Sequence, residues 1–208
     1  MISLTPPRHL LPPGPLHSEG GFLWWYLDLT DESGDGLVLI WSFGLPFLPG
    51  LASAARAGRP QKPADHPSVN VVVYRDGKPD FYLLQTSAPE EASWDGERWE
   101  MGGLRGRMVT SGSRLTLWLE LDCPVPGSTE RLTGELTLSG HQRLGQGDGE
   151  GTPKHEWTPL VVAASGSAEL RCGSQQWSLK GRAYFDRNLG TQPLHTPVSY
   201  THLTLPTT

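Results

Sequence analysis

The sequence has little of several features that would assign a chain to a broad class at once. Only 2 of its 208 residues are cysteine, Cys123 and Cys172. Two are too few for a disulfide framework, and free thiols suit a reducing compartment. No stretch approaches the ~20 apolar residues that cross a bilayer, and the first residues lack the basic and apolar regions of a secretory signal. We therefore expect a cytoplasmic chain with two free thiols.

An excess of basic charge is also absent. The formal net charge is −5 and the pI is about 5.8, and the lysines and arginines are scattered along the chain. A chain of this kind has no electrostatic basis for binding nucleic acid. No cluster of ligand side chains near the cysteines suggests a metal, so we predict no metal site.

Glycine (25 residues), proline (19) and tryptophan (8) are abundant, while hydrophobic residues make up only 37% of the chain. Frequent glycine and proline indicate many short elements joined by turns. Tryptophan rings supply apolar area where aliphatic residues are scarce, and they also line pockets.

Apolar and polar residues alternate with a period of two along most of the chain, as they do in β-strands. Asp76-Gly77 and Asp95-Gly96 are dipeptides typical of tight hairpin turns. These patterns fit an all-β fold, either a closed barrel or a sandwich, and the meander-type hairpins favour an up-and-down antiparallel β-barrel that encloses a cavity. The nine predicted strands are residues 22–30, 37–43, 68–74, 81–86, 104–109, 115–121, 131–138, 168–171 and 177–185.

The remaining segments set the predicted domain limits. Residues 1–18 contain five prolines and are expected to form an extended leader. Residues 19–194 are the predicted barrel domain, and residues 195–208 form an anomalous tail that does not resemble a native terminus. Residues 51–58 have the composition of a helix of at most two turns, inside a long loop (residues 44–67) that could act as a lid over a cavity.

Two segments place polar groups among apolar ones. In GGFLWWYLDL, Trp24, Tyr26 and Asp28 share one face of a strand, because alternate residues project to the same side. That face suits the wall of a ligand cavity, and it equally suits an aromatic-rich barrel strand with Asp28 at its solvent end. In HPSVNVVVY, Asn70 interrupts an apolar run and is either a buried amide with satisfied hydrogen bonds or a cavity-lining residue.

Two later segments carry functional side chains in i, i+2 pairs. His155 and Trp157 share a face if HEWTPL is a strand, and Tyr184 and Asp186 do so in GRAYFDRNLG. The four side chains could form one constellation if the two strands are neighbours. The alternative is that Asp186 faces water, since charged residues share its face.

At these segments the chain resembles the carotenoid 1,2-hydratases, also called hydroxyneurosporene synthases, a family of the lipocalin-like superfamily. The resemblance rests on GGFLWWYLDL and the hairpin after it, on HPSVNVVVY, on HEWTPL and on GRAYFDRNLGTQPL, in the family's order from residue 19 to residue 194. It implies a lipocalin-like antiparallel β-barrel that is the first of a tandem pair, with the second barrel missing from this chain.

The resemblance also implies a reaction. The family adds water to a terminal double bond of an acyclic carotenoid, with no cofactor and no redox change. Asp186 matches the acid that protonates the double bond, and desolvation among aromatic rings would keep such a carboxyl protonated. Trp157 and Tyr184 match aromatic positions that stabilise a carbocation. His155 matches a polar position that orients Asp186 or accepts a proton from water.

The implied partner is a hydrophobic small molecule, an acyclic carotenoid or another terpenoid, which Trp24, Tyr26 and Asn70 would contact. A substrate of this kind leaves peripheral association with a membrane open. Two other interpretations fit the same residues. One is a lipocalin-like protein that binds a hydrophobic ligand without changing it, and the other is a polyene cyclase or isomerase in which Asp186 has a lesser role.

Overall fold

Antiparallel strands form most of the regular structure in the computed structural model, which describes residues 13–95, 97–142 and 155–194. Two short α-helices accompany them, α1 (Pro13–His17) and α2 (Leu51–Arg56), together with 3₁₀ turns at Pro63–Asp65 and Pro89–Glu91. The strands in these ranges are β1 (Phe22–Asp31), β2 (Gly36–Phe43), β3 (Pro67–Arg75), β4 (Lys78–Thr86), β5 (Ala92–Asp95), β6 (Arg98–Met101), β7 (Leu104–Ser111), β8 (Arg114–Pro124), β9 (Arg131–His141), β10 (His155–Cys172) and β11 (Gln175–Gly190).

All of these strands belong to one sheet. Strands that follow each other in the sequence lie side by side, except β4 and β5. The first strand pairs with the last, β1 with β11, and within the described residues β4 and β5 are the two unpaired edges. A side-chain hydrogen bond crosses the opening from Gln85 on β4 to the carbonyl of Gly102, between β6 and β7. The sheet is therefore an antiparallel half-barrel, which confirms the predicted all-β, antiparallel architecture.

Local sequence explains most of the strand boundaries, and each of the nine predicted segments lies in a strand. The turn between β3 and β4 falls at Asp76 and Gly77, which both have positive φ (52° and 71°), as tight hairpin turns require. The prediction missed β5 and β6, because each has four residues with only two apolar side chains, too few to establish a period.

A stack of aromatic rings fills the interior of the half-barrel. Trp25, Trp41, Trp94, Trp99 and Phe185 form this stack, with the centroids of neighbouring rings between 5.0 and 5.8 Å apart. Trp25 on β1 meets Trp94 on β5 although these strands are far apart in the sheet, so the sheet curls around the rings. At the level of this stack, tryptophan side chains occupy the interior of the sheet.

Glycine at position 106 makes room for one ring of the stack. Gly106 on β7 lies directly opposite Trp99 on β6, and a Cβ atom at Gly106 would lie 2.1 Å from the indole ring. Glycine inside a strand often marks such a close approach. Any larger residue here would displace the Trp99 ring from the core.

The opposite, outer face of the sheet carries the polar and aromatic side chains of β1, including half-buried Trp24 and Tyr26. The long segment after β2 covers one end of this face, and its predicted two-turn helix is confirmed by α2. The N–H of Gly44 and the carbonyl of His66 close the segment with a 2.9 Å hydrogen bond. Phe47 in this segment is 71% exposed, and its ring lies 6.2 Å from that of Trp24.

Two predicted segments fall partly or wholly outside the described residues: residues 1–12 of the leader and the tail 195–208. Within the rest of the leader, α1 replaces the expected extended chain. Leu16 of this helix is buried in the hydrophobic core, so apolar burial stabilises a turn that the proline-rich composition does not reveal.

Both cysteines are free, as predicted, and both are buried. Burial raises the pKa of the Cys123 thiol to about 11, so this group stays protonated near neutral pH. In the described ranges, no helix has the length and apolar character needed to cross a membrane.

We expect Trp41→Ala to lower the free energy of unfolding by about 3–5 kcal/mol. The reason is that Trp41 is fully buried and contacts three other rings of the stack. Urea denaturation followed by circular dichroism measures the loss. The matched control is Trp118→Ala, because Trp118 is 42% exposed and, among the described residues, its ring packs against Arg107 alone in the ring contacts. This control substitution should lower the free energy of unfolding by less than about 1 kcal/mol. Equal losses of stability for the two variants would contradict a packed interior.

Candidate active site

The candidate active site forms where β10, β11 and β1 lie side by side. In the β1–β11 pair, Tyr26 is directly opposite Asp186, and in the β10–β11 pair, Trp157 is directly opposite Asn188. Directly opposed residues of an antiparallel pair project to the same face. The three strands therefore bring these side chains together on the outer face of the sheet.

Asp186 lies at the centre of this group and is only 6% exposed. Its Oδ2 atom accepts hydrogen bonds from Trp157 Nε1 at 2.7 Å and from Tyr184 Oη at 2.8 Å. Its Oδ1 atom accepts a hydrogen bond from Asn188 Nδ2 at 3.0 Å. The two predicted i, i+2 pairs thus lie on neighbouring strands, and Asp186 faces hydrogen-bond donors rather than water.

The pKa of Asp186 is raised to about 6, because burial disfavours the charged carboxylate. Hydrogen bonds from Trp157, Tyr184 and Asn188 act in the opposite direction, since they stabilise the carboxylate. The negative charge of Asp28 adds a smaller increase. About half of the Asp186 carboxyls therefore carry a proton near pH 6, which is unusual for aspartate.

Two phenols and a second carboxyl lie beside Asp186. The rings of Tyr26 and Tyr184 are 6.2 Å apart at an interplanar angle of 58°, and Tyr26 forms a hydrogen bond with Asp28. Burial raises the pKa of both phenols and also that of Asp28. Both phenols therefore keep their protons near neutral pH and serve as hydrogen-bond donors.

His155 reaches the group through Asn188. Burial lowers the pKa of the imidazole, and a hydrogen bond with the Asn188 side chain raises it by less. The ring of Phe22 meets the imidazole edge-on, with centroids 5.4 Å apart. The imidazole is therefore neutral near pH 7 and able to accept a proton. Asn188 is absent from the predicted site, although the alternation in GRAYFDRNLG places it on the face of Asp186.

A buried ion pair lies on the other face of the sheet, directly behind the site. Arg187 Nη2 is 2.6 Å from Glu156 Oε1, and the same oxygen accepts a 2.7 Å hydrogen bond from Thr158 Oγ1. Each charged partner lies in the sequence between two residues of the candidate site, so the pair fixes β10 against β11 at this point. The sequence does not reveal the pair, because neither segment alone indicates the register of the two strands.

The pairing of β10 with β11 is irregular next to the site. The register shifts on both sides of Val161, close to Pro159, which has no N–H to contribute to the ladder. Irregularities of this kind bend a strand and redirect its side chains, and they are common near active sites. The regular pairing ends just beyond Trp157, whose side chain remains partly exposed on the outer face.

The other residues predicted to contact a substrate differ in their distance from the acid. Trp24 lies directly opposite Asn188 in the β1–β11 register and so borders the site. Asn70 lies on β3, separated from β11 by β2 and β1. Its amide donates a 2.7 Å hydrogen bond to the carbonyl of Leu83, as expected for a satisfied amide rather than a member of the central group.

The chemistry available to this arrangement is proton transfer to an apolar molecule. Asp186 is a buried acid, and the ring faces of Trp157 and the two tyrosines can stabilise positive charge nearby. The neutral His155 can accept a proton. In the part of the chain that the structure describes, no group of three or more histidine, cysteine or acidic side chains is placed to hold a metal ion.

Comparisons with known proteins identify relatives by sequence. The profile of the carotenoid hydratase CrtC family matches residues 43–204. The acyclic carotenoid 1,2-hydratase of Thiocapsa roseopersicina is 30% identical over 179 residues, which cover 84% of this chain and 42% of that protein. The acyclic carotenoid 1,2-hydratase of Rubrivivax gelatinosus is 29% identical over 189 residues, which cover 86% and 43%. The chain thus spans less than half the length of these two relatives.

A further relative carries a different name, the hydroxyneurosporene dehydrogenase of Chlorobaculum tepidum. It is 26% identical over 205 residues, which cover 88% of this chain and 53% of that protein. Among solved structures, an AttH from Nitrosomonas europaea aligns with a TM-score of 0.47 and 15% identity, over 94% of this chain and 60% of that one.

We expect the Asp186 carboxyl to make the protein less stable as the pH rises from about 4 to about 6. Over this range the folded chain, with a pKa of about 6 at Asp186, holds a proton that the unfolded chain releases. The free energy of unfolding therefore falls with rising pH, by ~3 kcal/mol for a pKa difference of about two.

Urea denaturation of the wild type and of Asp186→Asn across this pH range measures the effect. The difference between the two proteins isolates Asp186 from Asp28 and His155, whose own shifts contribute to both. The free energy of unfolding of Asp186→Asn, relative to that of the wild type, should increase by ~3 kcal/mol between pH 4 and pH 7. A difference that stays constant with pH would show that Asp186 titrates as an ordinary exposed aspartate.

Proposed function

Since this chain belongs to the carotenoid hydratase CrtC family, we propose that its candidate active site hydrates an isolated double bond of an acyclic carotenoid or related terpenoid by acid catalysis. The observation that carries the proposal is the environment of Asp186. A buried carboxyl with a pKa of about 6, held by three donors beside aromatic rings, has the properties that alkene protonation requires.

The first step is proton transfer from Asp186 to the less substituted carbon of the double bond. The π electrons form the new C–H bond, the O–H bond of the acid breaks, and a tertiary carbocation and a carboxylate result. Trp157 and Tyr184 donate to the oxygen Oδ2, so they stabilise the carboxylate as it forms. Donors that are already in place at the developing charge lower the barrier without reorganisation.

The carbocation needs stabilisation until water reaches it. The rings of Tyr26 and Tyr184 lie on the face that carries Asp186, and the ring of Trp157 is joined to that carboxyl by its indole N–H. A cation within about 6 Å of an aromatic face gains roughly 0.5–2 kcal/mol, more where water is excluded. The site therefore favours the intermediate over its immediate return to the alkene.

The second step is the attack of water on the tertiary carbon. A lone pair of the water oxygen forms the C–O bond, and the protonated alcohol then releases a proton to His155. Burial lowers the pKa of this imidazole, so the ring is unprotonated and ready to accept. His155 then loses the proton to solvent and Asp186 is reprotonated from solvent, which restores the site with no net change in protons.

The substrate would lie along the outer face of the sheet. Trp24 borders the acid, and Phe47 extends the apolar surface over the covered end of this face. Asn70 lies on the same face three strands from Asp186, where it would contact a distant part of a long chain. Because an acyclic carotenoid partitions into lipid, we include peripheral contact with a membrane surface in this proposal.

The reaction of an acyclic carotenoid in ¹⁸O-labelled water tests the proposal. The 208-residue chain should yield a tertiary alcohol that contains one labelled oxygen, as mass spectrometry would show. Asp186→Asn should reduce the rate by at least ~100-fold, because it removes the acid but keeps the shape of the side chain.

The matched control is Asp80→Asn. Asp80 also accepts an indole N–H, from Trp177 Nε1 at 2.7 Å, but lies away from the site on β4, so this variant should retain hydration. Binding of the carotenoid without oxygen incorporation would favour a ligand-binding protein, and rearrangement without incorporation would favour a cyclase or isomerase. Either result, or full activity of Asp186→Asn, contradicts the proposal.

A further inference from the structure

We propose that Asn188 is a positioning residue that makes Oδ1 of Asp186 the proton-delivering oxygen and connects this carboxyl to His155. This inference rests on the proposed function of Asp186 as the acid. It concerns a residue outside the predicted site, and it assigns separate tasks to the two carboxyl oxygens.

Two hydrogen-bond donors already occupy Oδ2 of Asp186. The indole N–H of Trp157 has no acceptor capacity, so its 2.7 Å bond requires Oδ2 to accept. Tyr184 Oη approaches the same atom at 2.8 Å. The indole N–H cannot turn to accept a proton from Oδ2, whereas the amide that faces Oδ1 has an acceptor end, so the neutral acid carries its proton on Oδ1.

The side chain of Asn188 faces Oδ1. Asn188 is 9% exposed, and its side-chain amide lies 3.0 Å from Oδ1. An amide has a donor end and an acceptor end of nearly the same shape, which exchange places by a half-turn about the last bond. Asn188 can therefore donate to the carboxylate and, after the half-turn, accept from the neutral acid. No purely apolar or permanently charged side chain fits both states.

Asn188 also meets the imidazole of His155. The β10–β11 register places His155 diagonally across from Asn188 on the same face of the sheet, and a hydrogen bond with the Asn188 side chain favours the protonated ring, as a ring N–H that donates to the amide oxygen would do. In this orientation the amide N–H₂ group donates to Asp186. Asp186 is then a carboxylate, which is its state after proton transfer. The half-turn reverses both hydrogen bonds, so the protonation states of Asp186 and His155 depend on each other through one side chain.

Other groups also face Asp186. Tyr26 and Asp28 approach from β1, and the carboxylate of Asp28 raises the pKa of Asp186. From β10 and β11, Trp157 and Tyr184 lower it. The charges of the Glu156–Arg187 pair lie on the other face and neutralise each other.

The same ion pair also bears on the role of Asn188. It already fixes β10 against β11 behind the site, so the strands do not depend on the Asn188 amide for their register. The amide is therefore available for a role in the titration of its two neighbours.

Carboxyl and imidazole titrations measured by NMR test the inference without any turnover. In the wild-type chain labelled with ¹³C at aspartate carboxyls, the Asp186 signal, identified by its loss in Asp186→Asn, should titrate with a midpoint of about 6. In Asn188→Leu this midpoint should rise by about one pH unit, since a donor to the carboxylate is lost. The midpoint of His155 should fall, since a partner that favours its protonated form is lost.

Asn70→Leu is the matched control. It makes the same substitution on the same face of the sheet, at an amide that donates a hydrogen bond to a backbone carbonyl. The titration midpoints of Asp186 and His155 should both stay at their wild-type values. If Asn188 had only a structural role, Asn188→Leu would lower stability and leave both midpoints in place. That result would overturn the inference.

A measurement on the wild type keeps the test decisive if Asn188→Leu does not fold. The side-chain ¹⁵N signal of Asn188 should shift with pH at the same midpoint as the Asp186 carboxyl, and a signal that stays constant through that midpoint would overturn the inference. These titrations are independent of hydration activity. A chain that titrates as expected but does not hydrate a carotenoid would refute the proposed function alone, and a chain that hydrates but lacks the coupled titration would refute only the role of Asn188.

Discussion

The removal of the Asp186 carboxyl from water, in the presence of hydrogen-bond donors, is the constraint on which the rest of the site depends. Burial raises the pKa of this group, and the hydrogen-bond donors lower it. Together they leave a pKa of about 6. A much lower value would leave no proton to transfer, and a much higher one would give an acid too weak to protonate an alkene.

Strand alternation allows one sheet to meet the demands of stability and chemistry at the same time. On β1, Trp25 points into the packed interior and Tyr26 points to the outer face. On β11, Phe185 joins the aromatic stack while Asp186 faces the site. The core therefore holds the backbone that positions the acid, and the site needs no cavity within the half-barrel.

Much of this arrangement follows from the sequence, because it depends on local patterns. The strands, the turn at Asp76 and the shared face of Tyr184 and Asp186 are all read from residues close together in the chain. The role of Asn188 and the ion pair of Glu156 with Arg187 depend instead on the register between β10 and β11. Register is a long-range property, and a shift of one residue would move every side chain to the other face.

The dependence of the hydration rate on pH tests the central claim most directly. If protonated Asp186 is the acid, the rate constant for the chemical step should fall about tenfold per pH unit as the pH rises above the carboxyl pKa of about 6. The sign follows from the requirement for the neutral acid, since a rising pH removes its proton. A rate that is constant or increases between pH 5 and 8 would contradict the account, because catalysis would then not require a proton on Asp186.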